Sequence, residues 1–552
     1  MDIKQLRDVA DDLFKKKSPL NSLHQELADN FYPERADFTV SRSLGTDFAS
    51  NIMSSFPVVC RRKLGNQFGT MLRPTAKPWF HTVRRHVDID AEKVENKTWL
   101  QWFETTQRKA MYDPHSYFSR AAKEADHDFA AFGQYAKSIE FDPGDESRPF
   151  PSLLYRCWHL RDMAWQEDLR GGIGFKVRKW KPTAHALVSK FGNKVHDKIS
   201  KLASKTPFEE VEIMHMVVPA EMYDGNAQGR PRVSIYYDAQ NEHVMVETPI
   251  RGQHYIIPRW QTVSGSQYSY SPASVCALPD ARLLQAMTFT LLEAGEKATS
   301  PPILATQNAV RSDLALYAGG VTWVDEEYDE RLGAALRPLE QDFRGFNYGL
   351  EMNRDTRQML EAAFFLNDLR MPDRTPEMTA YEVGQRVQEY IRSALPIFEP
   401  MESECNAAEC EETFNLMLEH GGFGPVSAWP RDLQMALQGD GLGFTFESPL
   451  HDAIEQVKGQ QFQEAGALIG SAIALDPSCA FLPKTEVMLR DALLGIGAPA
   501  AWLNTEAYVK AQRENQQNQQ AQAQQLAALE QASSAAKNLG QSGMIQPQPS
   551  AA

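Results

Sequence analysis

The chain has 552 residues with a formal net charge of -15, and its 42% hydrophobic and 23% charged content excludes a disordered, collagenous or wholly membrane-embedded protein. The acidic excess argues against a general nucleic-acid binder, which carries a basic footprint, but not against a wall past which DNA must slide without sticking. The length asks for roughly three to four folding units.

From the N-terminus, residues 1 to about 75 read as helical. Leu6, Val9 and Leu13, then Leu23, Leu27 and Phe31, recur at helical spacing. A further helical run begins around Asp47, Ala49, Met53 and Phe56 and is expected to end at Pro57. Pro-broken turns, Met71-Leu72-Arg73-Pro74 and Lys77-Pro78-Trp79-Phe80, lead into a short strand over His81–Val87. Residues 91–135 are helical again, with Trp99, Trp102 and Phe103 on one side. Asp113-Pro114 breaks the run, and Phe118 to Phe132 form a second helix stopped by Gly133.

Between 135 and 275 the pattern changes. Runs rich in β-branched and aromatic residues alternate with turns at 136–141, 153–158, 211–218, 233–237, 243–248 and 254–258, with one helix over Pro182–Phe191 capped by Gly192. This predicts an α+β module with a mostly antiparallel sheet. Pro279 suits the first position of a helix, whose apolar face is Leu284, Met287, Leu291, Ala294 and Ala298, and Pro301-Pro302 stops it. A compact insert with short strands follows to about Phe343. A second helix runs from about Tyr348 to Leu369. The segment from Arg370 to Glu377 is a loop, Thr379 to about Leu395 a long helix, and 399–420 an acidic helical stretch. Phe444-Thr445-Phe446 is strand-like. Helices dominate from Leu450 to Leu475 and from Lys484 to Leu494. The Gln/Ala-rich tail from about Glu506 favours helix but needs neighbours to pack against.

Chemistry-bearing patterns are scarce. No Walker A loop, HExxH or G-x-S-x-G occurs. The glycine clusters at 171–174 and 439–443 are most simply turns. In Asp126-His127-Asp128 adjacent helix positions point in different directions, so a solvated helix face is expected. The acidic run Asp325, Glu326, Glu327, Asp329, Glu330 reads as a solvated surface. The basic clusters Arg61-Arg62-Lys63 and Lys176, Arg178, Lys179, Lys181 read by default as solubility charges on exposed faces. Six cysteines are too scattered for a disulfide framework, and reduced thiols are expected. Residues 1–17 lack the apolar segment of a signal peptide, and no stretch approaches the roughly 18 apolar residues of a membrane span. Arg370 and Arg374 stand apart, since a basic loop bounded by prolines between two long helices suits contact with a phosphate backbone without reading sequence.

The order of several short motifs resembles the portal, or head-to-tail connector, family of short-tailed phages of the T7 group. They are Met71-Leu72-Arg73-Pro74 with Pro78-Trp79-Phe80, Phe132-Gly133 before Ile139-Glu140, and Trp180-Lys181-Pro182 through Phe191-Gly192. Further on come Pro258-Arg259-Trp260, Ala277-Leu278-Pro279-Asp280, Met378-Thr379-Ala380-Tyr381-Glu382-Val383, Ser448-Pro449-Leu450 and Gly497-Ala498-Pro499. The likeness spans roughly residues 1 to 512. Ser269-Tyr270-Ser271 departs from the family's usual Gly-Arg-Gly.

The resemblance implies a predominantly helical α+β portal fold with wing, stem, clip, crown and C-terminal barrel. The wing is 1–278 with 379–430. The stem helices are 279–300 and 346–369, with the clip, 301–345, between them. A tunnel loop at 370–378 carries the DNA-channel candidates Arg370 and Arg374. The crown is 431–504, and 505–552 is a barrel helix and tail. It further implies a structural protein rather than an enzyme, with no cofactor. This protein would form a ring of about twelve subunits, through which double-stranded DNA is packaged and ejected. The implied partners are terminase, major capsid and scaffolding protein, a tail adaptor and internal core proteins. The location is the virion's portal vertex, with assembly in the host cytoplasm. The competing readings are another structural virion protein, such as an internal core or tail-tube subunit, and, further off, a packaging nuclease or NTPase.

Overall fold

The computed structural model describes residues 1–43, 52–75, 77–85, 94–144, 151–305, 345–367, 401–438, 441–446, 449–476 and 484–495, with short pieces elsewhere. It divides into two compact units, Met1–His451 and Asp452–Ala552.

In the first unit, helix α1 (Ile3–Phe31) begins with reciprocal capping. Asp2 accepts from the Gln5 N–H at 2.8 Å, and the Gln5 side chain accepts from the Asp2 N–H at 3.1 Å, which satisfies two end donors at once. Helix α2 (Phe56–Leu72) opens on Pro57 instead of ending there. Proline has no N–H to offer, and the first turn of a helix asks for none. Strand β1 (Phe80–Arg84) lies where a strand was expected. Its partner is β12 (Leu442–Phe446), antiparallel and more than 350 residues further on in the sequence: Phe80 faces Phe446 and Arg84 faces Leu442. Helices α3 (Val94–Met111) and α4 (Phe118–Phe132) follow the sequence pattern, with Gly133 in the left-handed conformation closing α4.

A three-stranded antiparallel sheet, β3-β2-β9, uses Ala136–Asp142 (β2), Ser152–Trp158 (β3) and Tyr255–Ile256 (β9). A five-stranded antiparallel sheet runs in the order β4-β5-β6-β7-β8, from Met163–Glu167 (β4) and Ile173–Trp180 (β5) to Ile213–Pro219 (β6), Arg232–Asp238 (β7) and His243–Ile250 (β8). Strands β4 and β5 escape the sequence reading because β5 carries three cations, Lys176, Arg178 and Lys179, among its apolar residues. Lys176 and Arg178, expected on an exposed face, are buried. Lys176 donates to the Tyr255 carbonyl at 2.7 Å, and the Arg178 guanidinium lies 3.5 Å over Trp158. Both ends of these long side chains are therefore used, the stem for packing and the head for a carbonyl or a ring face.

The sheet is covered on both faces, as its period of two demands. Met214, Met216 and Val218 meet Leu6, Ala10 and Leu13 of α1. Ile213, Tyr236 and Met245 meet a small lobe of two helices, α5 (Ala184–Phe191) and α6 (Asp197–Lys205), through Ala184, Leu187 and Ile199. Helix α6 is an addition to the sequence reading. A third core joins Trp79, Phe80, Phe103 and Phe118 to Phe414, Phe423 and Trp429, so chain ends far apart in sequence close one body.

Asp126-His127-Asp128 also departs from expectation, because all three are buried. The directions do diverge as helix geometry requires. Asp126 pairs with Arg73, Asp128 accepts from Arg35 at 2.9 Å, and the His127 ring sits where a Cβ on Gly65 would lie, 2.3 Å from its Nδ1. Arg61 of the early basic cluster is likewise buried, stacked 3.8 Å over Tyr32 and donating to the Phe31 carbonyl.

A long helix covers Pro449–Leu475, most of it in the second unit, and a shorter one Thr485–Gly495, both where periodicity placed them. Helical pieces recur at 508–509 and 511–516. No helix among the described residues is long and apolar enough to cross a membrane.

Candidate functional site: a mounted helix pair and the anchors of the loop beyond it

Helix α7 (Leu278–Thr299) has its proline in the first turn, as the sequence pattern predicts. Helix α8 (Gly345–Ala363) returns beside it. The pairing is antiparallel. Asn353 donates to Thr288 at 3.3 Å, and one turn along a Cβ on Gly349 would come 2.9 Å from Leu291. Gly349 thus lets the two helices approach closely. At the far end of the pair, Ile303–Ala305 (β10) and Leu336–Pro338 (β11) form an antiparallel ladder that closes the base of the insert. The acidic run 325–330 lies outside the described residues.

One end of the pair is fixed to the body. Leu278, Ala281 and Leu284 are buried on α7, and Asn353, Thr356 and Leu360 on α8. Gln285 acts as a two-way clamp: its oxygen accepts from the N–H groups of Met53 and Ser54, both at 2.8 Å, and its amide donates to the Ser54 carbonyl at 2.9 Å. Arg282 donates to Glu26 of α1 at 2.6 Å. The segment before α7 is locked too. Ser269 and Ser271 donate to the carbonyls of Gly133 and Ala131, at 2.6 and 2.7 Å. The two serines that depart from the family's Gly-Arg-Gly therefore tie this segment to the end of α4. A Cβ on Gly133, whose φ is +71°, would lie 2.5 Å from the Tyr270 backbone, so this approach requires glycine.

Beyond the mount the uncovered surface of the pair mixes charged residues, such as Glu293, Glu296, Glu351 and Arg354, with large apolar ones. Leu283, Phe289 and Leu292 on α7, and Tyr348, Met352 and Met359 on α8, are 44% to 72% exposed. Isolated surface apolar residues need no explanation, but six large ones on one helix pair, four of them beyond the mount, suit an interaction surface.

Arg370 and Arg374 lie outside the described residues. The two chain ends that lead to them are well defined. On the outgoing side, Phe364 packs against Phe31 at 5.4 Å, and Phe365 stacks on Trp260 at 6.4 Å. Phe365 has φ +56°, an uncommon value for a bulky residue, which ends the helix at this contact. On the returning side, Phe398 meets Phe68 edge-on at 5.7 Å, and Phe68 in turn meets Trp260 at 5.4 Å. Both ends therefore converge on one aromatic cluster, completed by Phe129 stacked on Trp260 at 5.0 Å.

The return is secured further by buried polar groups. Residues Met401–Asn406 form a π-helical turn that runs into the helix Ala407–Glu419. Arg73, its side chain 3% exposed, pairs with Asp126 and donates to Asn406 at 3.2 Å. Burial pushes the Asp126 carboxyl up, and Arg73 opposes it. Lys137 and Glu409, both wholly buried, sit 2.5 Å apart as an ion pair outside hydrogen-bonding angles. Gln107 donates to the Cys410 carbonyl at 3.0 Å, and Glu412 accepts from the His254 N–H at 2.9 Å. Burial also raises the Cys405 and Cys410 thiols, which keeps them protonated and unreactive. Sequence reasoning picks out Arg73 and Trp260 only as letters in motifs. The signal for their role is that each long or aromatic side chain stands next to a proline turn, where a fold fastens distant segments.

Among the described residues no group of three or more His, Cys, Asp or Glu is placed to hold a metal ion. The geometry offers a rigid mount, a helix pair with large apolar residues exposed on it, and two anchored chain ends beyond it. The model of the bacteriophage head to tail connecting protein family matches residues 3–503. The chain belongs to that family. Among relatives of this connector, the probable portal protein of Bordetella phage BPP-1 is 24% identical over 538 residues, covering 94% of this chain and 91% of its own. The portal protein of Salmonella phage epsilon15 is 22% identical over 422 residues, covering 73% and 72%. A solved chain from the virion of a native gene transfer agent particle aligns with 80% of this chain and 95% of its own, at 9% identity and a TM-score of 0.36; that score is too low to support an argument about the connector's fold.

Proposed function

We propose that this connector is the portal protein of a tailed phage: a ring at the head-to-tail junction through which double-stranded DNA enters the capsid and later leaves. The observation that carries the reading is the helix pair α7–α8, anchored at one end and exposing large apolar residues such as Phe289 and Met352 beyond it, in a chain matched by the connector family over residues 3–503. A single chain exposes these apolar residues; copies arranged about a closed axis cover them. The helix pair is then the stem, 301–345 the clip, and 370–378 the loop facing DNA, with about twelve copies closing the ring. The wing is 1–278 with 379–430, the crown 431–504, and 505–552 a barrel helix and tail. The net charge of -15 suits a channel that lets phosphates slide, while Arg370 and Arg374 hold the backbone at the constriction. Terminase supplies the motor chemistry, and capsid, scaffolding, tail adaptor and internal core proteins dock around the ring during assembly in the host cytoplasm.

The test uses a phage whose own copy of the gene carries a nonsense codon. Without complementation, heads should lack both packaged DNA and tails. Complementation with the wild-type chain should restore both. Complementation with Arg370→Ala/Arg374→Ala should give assembled rings but a reduced yield of heads that keep their DNA. DNA-filled, tailed particles without any copy of the chain would refute the portal assignment; normal DNA retention by the double variant would refute the role of the two arginines.

A further inference from the structure

The lobe α5–α6 has a charge balance opposite to that of the whole chain. Between Lys181 and Thr206 there are six lysines and one acidic residue, Asp197, in a protein whose net charge is -15. Lys190 pairs with Glu140 at 2.7 Å, and Lys181 approaches Glu212 at 3.9 Å. The other four, Lys194, Lys198, Lys201 and Lys205, are exposed, and none has an ion-pair partner among the described residues. Lys198, Lys201 and Lys205 lie on α6 at spacings of three and four, the spacing of one helix face, and Lys194 ends the turn just before that helix. Helix α6 turns its other side inward, with Ile199 buried and Leu202 and Ala203 packed on the same core as α5. His196 caps the helix by accepting from the Lys198 N–H at 3.2 Å, so the lysine row sits on a fixed element.

We infer that this lysine row is a second, sequence-independent contact for the phosphate backbone of double-stranded DNA, separate from the loop at 370–378. Solubility charges are normally interspersed in sign; here three cations of one kind line one helix face and a fourth stands in the turn before it. Protein interfaces are depleted in lysine and enriched in arginine and large aromatic residues, and this face has neither arginine nor tryptophan. Lysine is a flexible, strongly hydrated point charge, suited to loose contact with a regular row of phosphates and unsuited to reading bases. Lys198 to Lys205 spans about 10 Å along the helix axis, within reach of more than one phosphate of a duplex. The inference rests on the portal reading for the presence of DNA, but not for the geometry of the row.

The experiment is filter retention of a labelled, relaxed, closed circular plasmid by the full-length protein over a series of salt concentrations. The same preparation is inspected by electron microscopy for rings. A closed circle cannot be threaded through a closed ring, so retention reports a surface other than the channel. Wild-type protein should retain the plasmid at low salt. Lys194→Gln/Lys198→Gln/Lys201→Gln/Lys205→Gln should weaken retention by about tenfold or more and reduce the slope of log affinity against log salt by about 3 to 4. The control Lys15→Gln/Lys109→Gln/Lys123→Gln, which removes exposed lysines elsewhere, should leave the slope unchanged, and the four-fold change to arginine should keep binding. Intact rings that never retain the plasmid, or an equal loss in the control, would overturn the inference without touching the portal reading. A change in ring mass without a change in retention would also overturn it and make the row an interface between copies. Absence of rings with normal retention would support the row while counting against the portal reading.

Discussion

Phe289→Glu combined with Met352→Glu should convert ring-forming protein into folded single chains. Each of these side chains is 54% exposed in the single chain, so it contributes little to the fold, and surface changes of this kind usually alter stability by no more than about 0.5 kcal/mol. The situation in a ring is different. If α7 and α8 of one copy pack on the next, each glutamate is buried at the contact without a countercharge, and burial of an unpaired charge costs several kcal/mol. The penalty recurs at every contact of the ring. Apolar residues are also poor lining for a channel through which a charged duplex must slide, which leaves the subunit contact as their natural place. Light scattering should give the 62.2 kDa mass of one chain, with the far-ultraviolet dichroism of the wild type. A ring of unchanged mass would show that the helix pair is not the contact.

Arg73→Met should be the most destabilising single change in the anchored body. Asp126, its side chain 4% exposed, would lose its only guanidinium partner among the described residues and remain buried. Breaking a buried pair from one side costs about 3 to 5 kcal/mol. Burial already pushes the Asp126 carboxyl up, so without Arg73 it would take up a proton more readily. Adding Asp126→Leu removes the stranded charge and should recover most of the loss, because replacing both partners of a buried pair with apolar groups is often close to neutral. The denaturation midpoint of unit 1 in urea measures both. The same midpoint in Arg73→Met as in the wild type would mean that the pair does not hold residues 401–413 to α2 and α4.

Much of this architecture is legible in the sequence where periodicity and chain punctuation agree. Pro279, Pro301 and the apolar positions between them mark α7 because all three signals concern local backbone. Gly133 marks the end of α4 for the same reason. The failures share a different cause. Lys176 and Arg178 disguise a strand as a charged surface, and Asp126-His127-Asp128 reads as a solvated face, because a charge is legible in sequence and its partner is not. Arg73 and Asp126 lie 53 positions apart, and Lys137 and Glu409 lie 272 apart. Pro57 was expected to stop a helix that it starts, since the residue fits either end and only the direction of the neighbouring turn decides. At the site, the helix–insert–helix order is readable. The aromatic cluster of Phe68, Trp260, Phe365 and Phe398 is not, because its members come from four separate segments brought together only by folding.

Copies of this chain are expected to close into a ring around a passage wide enough for DNA. Electron microscopy of the purified full-length protein, with its mass from light scattering, tests that claim most directly. Closed rings of about twelve copies with a central hole wide enough for a duplex are the expected result. A uniform population of single chains or dimers, persisting when capsid and scaffolding protein are added, would contradict it.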